Sequence, residues 1–372
     1  MSYIWKNPDW PSYAYNEELI SKKYDDYLVQ KRASDIVFSI IDPGMRERMH
    51  AHSLAHEIQA SLEIEGERIS YDSVYSSLCQ RLDINLEKKA KTDRYAESIS
   101  TLALDATQNL QELSHDRIHH WHTLLFNAMA GVKPKQIGAY RQGPVYIAKG
   151  NLRQEELIYE GVPAEKIHGA MDRFIEFINE ENEPKPLIKS AIASLWFLCI
   201  HPYEDGNGRI SRAIADYVLS KGFNETHRVY SMSALILKNR GQYYQHLYEV
   251  SSQSDSLDIT RWLLWHIEIA IEAKQEAIKG YEKSVMLSRF MKNLDPSIYN
   301  SRQLSTLYKL ADGSFAGKLT TDMWAKMNKC SPAAASRDIQ QLLQRGLLIP
   351  SGDTGPKTGY YLNPTIQEER KD

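Results

Sequence analysis

Helical periodicity dominates the pattern of apolar and polar positions along this chain, and the strict alternation typical of strands is scarce. The pattern predicts helices over residues 17–40 and 45–66, the second of which ends at Gly66, a residue suited to the position after a helix C-terminus. A third helix should begin near Ser70 or Asp72, either of which can cap its first turn. The beginning of the chain is therefore predicted to be helical.

A second helical block extends to about residue 285 and contains one interruption. In the segment "IGAYRQGPVYIAKG" two short apolar runs, Ile137–Tyr140 and Val145–Ala148, flank the turn-forming residues Arg-Gln-Gly-Pro, which predicts a β-hairpin. Further along, Leu187–Ile200 is apolar almost all round, which predicts a helix buried at the centre of a bundle. The predicted fold class is therefore mainly α with a small β-hairpin.

The pattern changes after residue 285, where three short amphipathic segments precede two strand-like runs around a glycine-rich turn. Three helices followed by a hairpin are typical of a winged helix. Ser331 should cap the third helix, Ser336, Arg337 and Gln340 should point outward, and Lys357 lies in the predicted wing. Because this region is only modestly basic, contact with DNA and docking to a protein are both open.

The 372 residues are enough for several ordinary cores. We predict a helical domain over residues 1–95, a central domain over 96–285 and a winged-helix-like domain over 286–372. The net charge of −3 gives no overall basic surface, so bulk attraction to nucleic acid or to membranes is not indicated.

The sequence also indicates in which cellular compartment the protein is located. The N-terminus lacks a basic segment followed by an apolar one, and no apolar run reaches the ~18 residues that span a bilayer. The three cysteines are far apart and odd in number, which argues against a disulfide framework or a zinc site. We therefore expect a cytoplasmic protein without membrane contact.

One stretch, "HPYEDGNGRISR" from His201 to Arg212, concentrates polar chemistry. Pro202 should end the buried helix, and a new helix should begin after the glycines. On that new helix the apolar positions form one face, and Arg209, Arg212 and Asp216 lie off it. A helix N-terminus with little side-chain cover exposes N–H groups and binds anions.

The side chains around that N-terminus suit a nucleotide with a metal ion. Arg209 and Arg212 can bind phosphate oxygens through two donors each. Asp205 can hold Mg²⁺, which commonly combines one carboxylate with phosphates and water. His201 can act as a base near neutral pH. Each feature also has a plain alternative, such as a turn, a surface ion pair or a helix stop, but their coincidence within twelve residues favours a site.

The same stretch resembles the signature of Fic-domain proteins, H-P-F-x-[D/E]-G-N-G-R-x-x-R, with Tyr203 at the position where phenylalanine is usual. The resemblance covers roughly residues 100–285 and implies a Fic-type helical bundle that transfers AMP from ATP to a Ser, Thr or Tyr hydroxyl of a protein. It implies that His201 deprotonates the hydroxyl and that Asp205 holds Mg²⁺. It further implies an anion hole and phosphate contacts formed by Gly206, Asn207, Gly208, Arg209 and Arg212.

The family resemblance extends to the predicted hairpin, which matches the flap that holds the target backbone by strand addition. The implied flap residues are Ile137, Gly138, Ala139, Tyr140, Val145 and Tyr146. Tyr243 and Tyr244 lie where family members contact adenine and ribose, although core packing explains these aromatic residues equally well.

A second motif, "SLEIEG", matches the inhibitory pattern [S/T]-x-x-x-E-[G/N] of the family through Ser61, Glu65 and Gly66. The resemblance implies that Glu65 pairs with Arg212 and prevents the γ-phosphate from binding. The plain alternative is a helix end with a solvated glutamate and a glycine cap. The surrounding N-terminal segment resembles a helical domain often found ahead of Fic domains in bacteria.

The leading hypothesis is an autoinhibited protein adenylyltransferase that acts on a target protein. Self-modification and a homodimer are compatible with it. The alternatives are a Fic variant that removes AMP or transfers another nucleotidyl or phosphoryl group, and a DNA-binding regulator whose Fic core senses nucleotide. The intact Gly206–Arg212 segment favours AMP transfer, and the presence of His201 argues against a sensor, which needs no base.

Overall fold

A computed structural model describes residues 3–86, 91–151, 154–180, 183–252, 256–292, 294–295, 297–311, 318–353 and 358–363. The chain forms two compact units, Met1–Ala277 and Ile278–Asp372. It is mainly helical with two small antiparallel sheets in the described residues, in agreement with the predicted fold class. The first unit contains most of the first two predicted domains, and the division into three domains stays a prediction.

The first unit is built from helices and one hairpin. Its hairpin consists of β1 (Tyr146–Asn151) and β2 (Gln154–Glu160), with Tyr146 opposite Glu160. Short 3₁₀ turns cover Ile4–Lys6 and Ala164–Lys166. The helices that begin in this unit are α1 (Glu17–Ser39), α2 (Pro43–Ile64), α3 (Tyr71–Arg81), α4 (Arg94–Gln108), α5 (His115–Asn127), α6 (Ile167–Asn179), α7 (Pro186–Ile200), α8 (Asn207–Phe223), α9 (Met232–Lys238), α10 (Arg240–Ser252) and α11 (Thr260–Lys292).

Local capping explains several of these boundaries. The side chains of Asn16, Asp42 and Ser70 accept hydrogen bonds from the N–H groups three residues further on, and so cap α1, α2 and α3. Gly66, which follows the C-cap residue Glu65 of α2, has a φ of 83°, as its predicted place beyond the helix end requires. The predicted helix start at Ser70 is therefore confirmed.

The core of this unit centres on α7, in which every residue from Leu187 to Ile200 is buried. Helix α8 packs along α7, while α2, α4 and α5 contact α8 from other sides. As a result Arg209, Arg212 and Asp216 are buried as well. Our prediction placed them off the apolar face of α8 but did not anticipate that α2 and α4 would cover that side.

The second unit has three helices and a hairpin in the predicted order. The elements are α12 (Ser301–Ala311), α13 (Thr321–Met327), α14 (Pro332–Gln344), β3 (Leu348–Pro350) and β4 (Tyr360–Leu362), and the two strands pair antiparallel. Ser331 caps α14 and the side chains of Ser336, Arg337 and Gln340 are exposed. Lys357 lies outside the described residues, and the winged-helix interpretation and contact with DNA stay predictions.

None of the helices in the described part of the chain combines the length and the apolar character needed to cross a membrane.

Candidate active site

His201 ends α7 in a left-handed conformation, with φ of 54° and ψ of 58°, which is uncommon for a residue with a side chain. Its Nδ1 lies 3.2 Å from Leu198 O. Since a carbonyl oxygen only accepts hydrogen bonds, Nδ1 carries the proton and Nε2 keeps a free lone pair. Burial lowers the pKa of His201 to about 4, so the imidazole is neutral at neutral pH and can accept a proton.

The loop after His201 is closed by buried side chains. The N–H of Tyr203 donates to Asn207 Oδ1 at 3.0 Å, and Asn207 Nδ2 donates to Tyr203 O at 2.8 Å. Tyr203 is fully buried, its ring stacks on His122 with centroids 4.0 Å apart, and its hydroxyl is 2.9 Å from His119 Nδ1. The amide of Asn207 therefore shapes the loop.

Gly206 is required where the loop enters α8. Its φ is 83°, and a Cβ at this position would lie 2.8 Å from the Phe126 ring and 2.9 Å from a methyl of Leu125. Any other residue would combine an unfavourable backbone conformation with a steric clash.

The N-terminus of α8 presents unused donors. The first hydrogen bond within the helix runs from Ile210 N–H to Gly206 O at 3.0 Å. The N–H groups of Asn207, Gly208 and Arg209 therefore have no acceptor inside the helix and form the positive end of its dipole. This end of α8 is suited to an anion.

Arg212 is buried and is bound by the last turns of α2. Its Nε donates to Ser61 Oγ at 2.8 Å, and its Nη2 donates to Ser61 O at 2.7 Å and to Glu65 Oε1 at 2.9 Å. Burial disfavours the positive charge, but Glu65 together with Tyr243 and Tyr244 opposes that effect, and the pKa of Arg212 is raised overall. Nη1 is buried without a hydrogen-bond partner among the described residues, so the guanidinium retains a donor for a ligand.

The carboxylate of Glu65 lies against the N-terminus of α8. A Cβ at Gly208 would collide with Glu65 Oε1 and would lie 3.0 Å from Glu65 Cδ. Glycine at position 208 therefore leaves room for this carboxylate. Glu65 is the cap residue directly after α2, so the end of that helix places a negative charge where α8 is suited to bind an anion.

Arg209 is engaged by two carboxylates. Its Nη1 is hydrogen-bonded to Glu67 Oε1, and its Nη2 donates to Asp205 Oδ1 at 3.0 Å. Its Nε is buried without a partner among the described residues. We did not predict Glu67, and its only signal in the sequence is a second acidic residue two positions after Glu65. The segment that follows α2 thus supplies one carboxylate to each arginine of the motif.

Asp205 offers one accessible carboxylate to a cation, since its side chain is 57% exposed. The described residues contain no group of three or more His, Cys, Asp or Glu side chains that could enclose a metal ion. A divalent cation on Asp205 would take its other ligands from phosphates and water, which is usual for Mg²⁺. The donor set fits a Mg²⁺ ion that binds together with a nucleotide.

Tyr243 and Tyr244, which we predicted to contact adenine and ribose, lie on α10 in different surroundings. Tyr243 is buried against Trp262 and Trp265, with ring centroids 6.1 and 5.6 Å away. Tyr244 is partly exposed, and its hydroxyl donates to Ile64 O at 3.3 Å. Tyr244 therefore supports the end of α2, and contact of either residue with a nucleotide stays a prediction.

Residues 112–219, from just before α5 to near the end of α8, match the Fic/DOC family. This part of the chain resembles Fic domains. Residues 3–84 match a domain of unknown function (DUF4172). That second match includes α1, α2 and α3, so Glu67, which contacts Arg209, and Glu65, which contacts Arg212, come from outside the matched Fic domain.

The chain is also similar to named Fic proteins in sequence and to solved Fic structures in fold. The chain is 25% identical over 178 residues to "Protein adenylyltransferase fic-1" of Caenorhabditis briggsae and 23% identical over 180 residues to the protein of the same name from Caenorhabditis elegans. These matches cover 47% and 48% of this chain but only 31% and 32% of the relatives. A Fic family protein from Desulfovibrio desulfuricans G20 shares the fold, with a TM-score of 0.56, 18% identity and coverage of 95% of this chain and 98% of that chain.

The hairpin of the Fic domain lies further along the chain than we predicted. The pattern placed its first strand at Ile137–Tyr140, but this segment is irregular, and the strands are β1 and β2. Of the predicted flap residues, Tyr146 begins β1 and Val145 precedes it, while Ile137, Gly138, Ala139 and Tyr140 lie outside both strands.

The irregular segment is bound to α5 and to the motif loop, which explains why it forms no strand. The N–H of Gly138 donates to His122 Nδ1 at 3.0 Å, and the buried Tyr140 hydroxyl is 2.8 Å from His115 Nδ1. Arg141 donates from Nε to His201 O at 2.8 Å. The apolar pattern at Ile137–Tyr140 therefore reflects packing against the Fic core and not strand pairing.

His122 connects this segment to the motif loop, a role that we did not predict. Its Nδ1 accepts from Gly138 N–H, and its Nε2 lies 3.2 Å from Asp205 O and so donates to it. Burial lowers the pKa of His122 to about 4, which keeps the ring neutral. His115, His119 and His122 recur on one face of α5, and that spacing was the available signal.

A buried charge network anchors α2 on the Fic core. Arg228 donates from Nη1 to Asp216 Oδ1 at 2.5 Å, and its Nη2 lies 3.6 Å from Glu57 Oε2. Glu57 and Ser61 of α2 and the cap residue Glu65 are spaced four residues apart, so all three lie on the same side of the helix. The face that anchors the helix through Glu57 is therefore the face that presents Ser61 and Glu65 to Arg212.

Proposed function

We propose that this chain is an autoinhibited protein adenylyltransferase that transfers AMP from ATP to a Ser, Thr or Tyr hydroxyl of a target protein or of the chain itself. The observation that carries the proposal is the N-terminus of α8, where unused N–H groups lie beside two buried arginines, and where the Glu65 carboxylate pairs with Arg212 and lies against Gly208. Such donors suit a triphosphate, and the neutral imidazole of His201 suits a general base. The names of the two matched relatives support the same activity.

In the proposed reaction the acceptor hydroxyl oxygen attacks the α-phosphorus of ATP, and Nε2 of His201 takes the hydroxyl proton. The bond from the α-phosphorus to the oxygen that bridges to the β-phosphate breaks, and pyrophosphate leaves with its electron pair. Arg209, Arg212 and the N–H groups of α8 bind phosphate oxygens, so groups already in place stabilise the developing charge. A Mg²⁺ ion held by Asp205 would add to this charge neutralisation.

Inhibition in this proposal follows from competition for the arginines. Glu65 takes the Arg212 donor and the space at the α8 N-terminus that a terminal phosphate needs, and Glu67 takes a donor of Arg209. Two carboxylates in a phosphate site also repel the anionic substrate. Activation therefore requires this segment to move or to lose its charges.

The proposed reaction is tested with Mg²⁺ and ATP labelled on either the α-phosphate or the γ-phosphate, in the Glu65→Gly variant. We expect the α label to become covalently attached to protein, because AMP retains that phosphate, and the γ label to leave in pyrophosphate. Detection is by denaturing electrophoresis. Attachment of the γ label would instead identify phosphoryl transfer and would refute the proposal.

The pH dependence follows from the environment of His201. Burial, together with the nearby charge of Arg141, lowers the pKa of His201 to about 4 from an ordinary 6.5, against the opposing effects of the Leu198 carbonyl and of the Glu65 and Asp205 charges. The neutral base is then present at every pH above that value. We expect the initial rate of AMP transfer to change little between about pH 8 and about pH 6, where an unperturbed histidine would lose most of its neutral form. A midpoint near 6.5 would contradict the expected state of His201.

A further inference from the structure

We propose that Arg141 is a positioning residue that fixes the root of the β1–β2 hairpin to the backbone of His201. Given the adenylyltransferase activity proposed above, Arg141 thereby sets where an acceptor hydroxyl held by the hairpin meets the base.

Arg141 donates hydrogen bonds to backbone carbonyls from three parts of the chain. Its Nε donates to His201 O at 2.8 Å, its Nη1 to Gly143 O at 2.7 Å and its Nη2 to Val162 O at 2.5 Å. Its own N–H donates to Pro202 O at 3.0 Å. Gly143 precedes β1 and Val162 follows β2, so one side chain joins both ends of the hairpin to the catalytic loop.

The guanidinium is a buried cation that is balanced by dipoles. The Arg141 residue is 3% exposed, and no ion pair to it occurs within the described ranges. Arg141 Nη2 also lies 3.5 Å from Ile200 O, and the carbonyls of Ile200 and His201 belong to the C-terminus of α7, the negative end of its dipole, which favours a cation. Burial of a charge costs free energy unless its hydrogen bonds are made, and here backbone carbonyls supply those bonds. The carbonyls must therefore keep their positions around the Arg141 guanidinium.

The hairpin root is closely packed against Arg141 and His201. A Cβ at Gly161, the residue directly after β2, would lie 2.8 Å from Arg141 Nη2, 3.1 Å from His201 Cβ and 2.7 Å from Val145 Cγ1. The N–H of Gly161 donates to Val145 O at 3.1 Å, which closes the hairpin base. The hairpin root is therefore in contact with the residue that carries the base.

The consequence is a role in orientation and not in nucleotide binding. Arg141 contacts none of the α8 donors that we assign to phosphate, whereas it holds both ends of the hairpin and the left-handed backbone of His201. Misplacement of a reacting group by about 1 Å can cost about a hundredfold in rate. Loss of Arg141 should therefore reduce the rate of transfer and leave the affinity for ATP unchanged.

The test compares Arg141→Met and Arg141→Lys in the Glu65→Gly background, with α-labelled ATP and the chain itself as acceptor. Arg117→Met is the control, because Arg117 also donates to three backbone carbonyls, those of Asp105, Asn109 and Gln111, but joins α4 to α5 and in addition pairs with the Asp105 carboxylate. We expect Arg141→Met to lower the rate roughly a hundredfold and Arg141→Lys, which keeps the charge, about tenfold. The Kd for Mg·ATP, measured by calorimetry, should stay within about twofold of the parent.

Three results would overturn the positioning role: an unchanged rate in Arg141→Met, a loss of ATP affinity that parallels the loss of rate, or an equal loss of rate in Arg117→Met. If Arg141→Met does not fold, the rates of transfer and the ATP affinities of Arg141→Lys and Arg117→Lys are compared instead, and the same three results would overturn the positioning role. Because the parent Glu65→Gly protein is assayed first, absence of α label there would refute the proposed function itself and not the role of Arg141.

Discussion

Replacement of His201 by asparagine in the Glu65→Gly background should reduce AMP transfer by a factor of roughly a hundred to ten thousand, the usual contribution of a general base. Nε2 of His201 is the atom that we expect to take the acceptor proton, since Nδ1 is committed to Leu198 O. Asparagine lacks a group of comparable basicity. It is chosen because it tolerates the left-handed conformation that His201 adopts, so the backbone of the loop should survive.

The measurement is the initial rate of α-label incorporation, with the Kd for Mg·ATP as the companion value. ATP binding should be retained, because the N–H groups of α8 and both arginines are untouched. His201→Ala provides a second variant that also lacks the base. Incorporation at the parent rate in either variant would exclude His201 as the base, and a loss of ATP binding in both would assign it a different role.

Replacement of Glu65 by glycine should raise the rate of AMP transfer roughly ten- to a hundredfold, because a hydrogen bond to a charged group contributes about 1.5–3 kcal/mol and each 1.36 kcal/mol is about a factor of ten. The change frees Nη2 of Arg212 and empties the space against Gly208. It also removes a negative charge from the phosphate site. Glu65 follows the last residue of α2, so glycine there should not disrupt the helix interior.

Glu63→Gly is the matched control, because Glu63 is an exposed residue in the last turn of the same helix. The Glu63→Gly variant should transfer AMP at a rate close to that of the wild-type protein. Glu65→Gln adds a charge-only variant, which retains the shape of the side chain and should give an intermediate increase. If the Glu65→Gly variant transferred AMP no faster than the wild-type protein, the contact between Glu65 and Arg212 would not be inhibitory.

Much of the catalytic segment could be predicted because its structure is local. Pro202 disfavours continuation of α7, Gly206 permits the sharp entry into α8, and the apolar face of α8 sets which way the helix lies. The groups assigned to base, cation and phosphate all lie within twelve residues of one another. Their approximate placement therefore depends on only two helix ends and one loop.

The hairpin shows where local pattern was insufficient. Ile137–Tyr140 has the apolar character of a strand, yet its polar groups and side chains are used by α5 and by the motif loop. Whether an apolar run pairs as a strand or packs as an irregular segment depends on which partners the fold brings to it. The same applies to Arg141, which looks like a turn residue in the sequence and is a buried cation in the fold.

The sequence by itself determined the helical fold class, the approximate bounds of α1, α2 and α7 and the chemistry of the His201–Arg212 segment, because capping, glycine conformations and periodicity act over a few neighbouring residues. The family resemblance named Glu65 as the partner of Arg212, but no pattern in the chain could place two residues 147 positions apart at 2.9 Å. The packing of α2 on α8 brings these residues together, and it also brings Glu67 to Arg209. Tertiary structure decided these contacts because an ion pair needs both charges at one point in space, and only the packing of distant helices sets that distance.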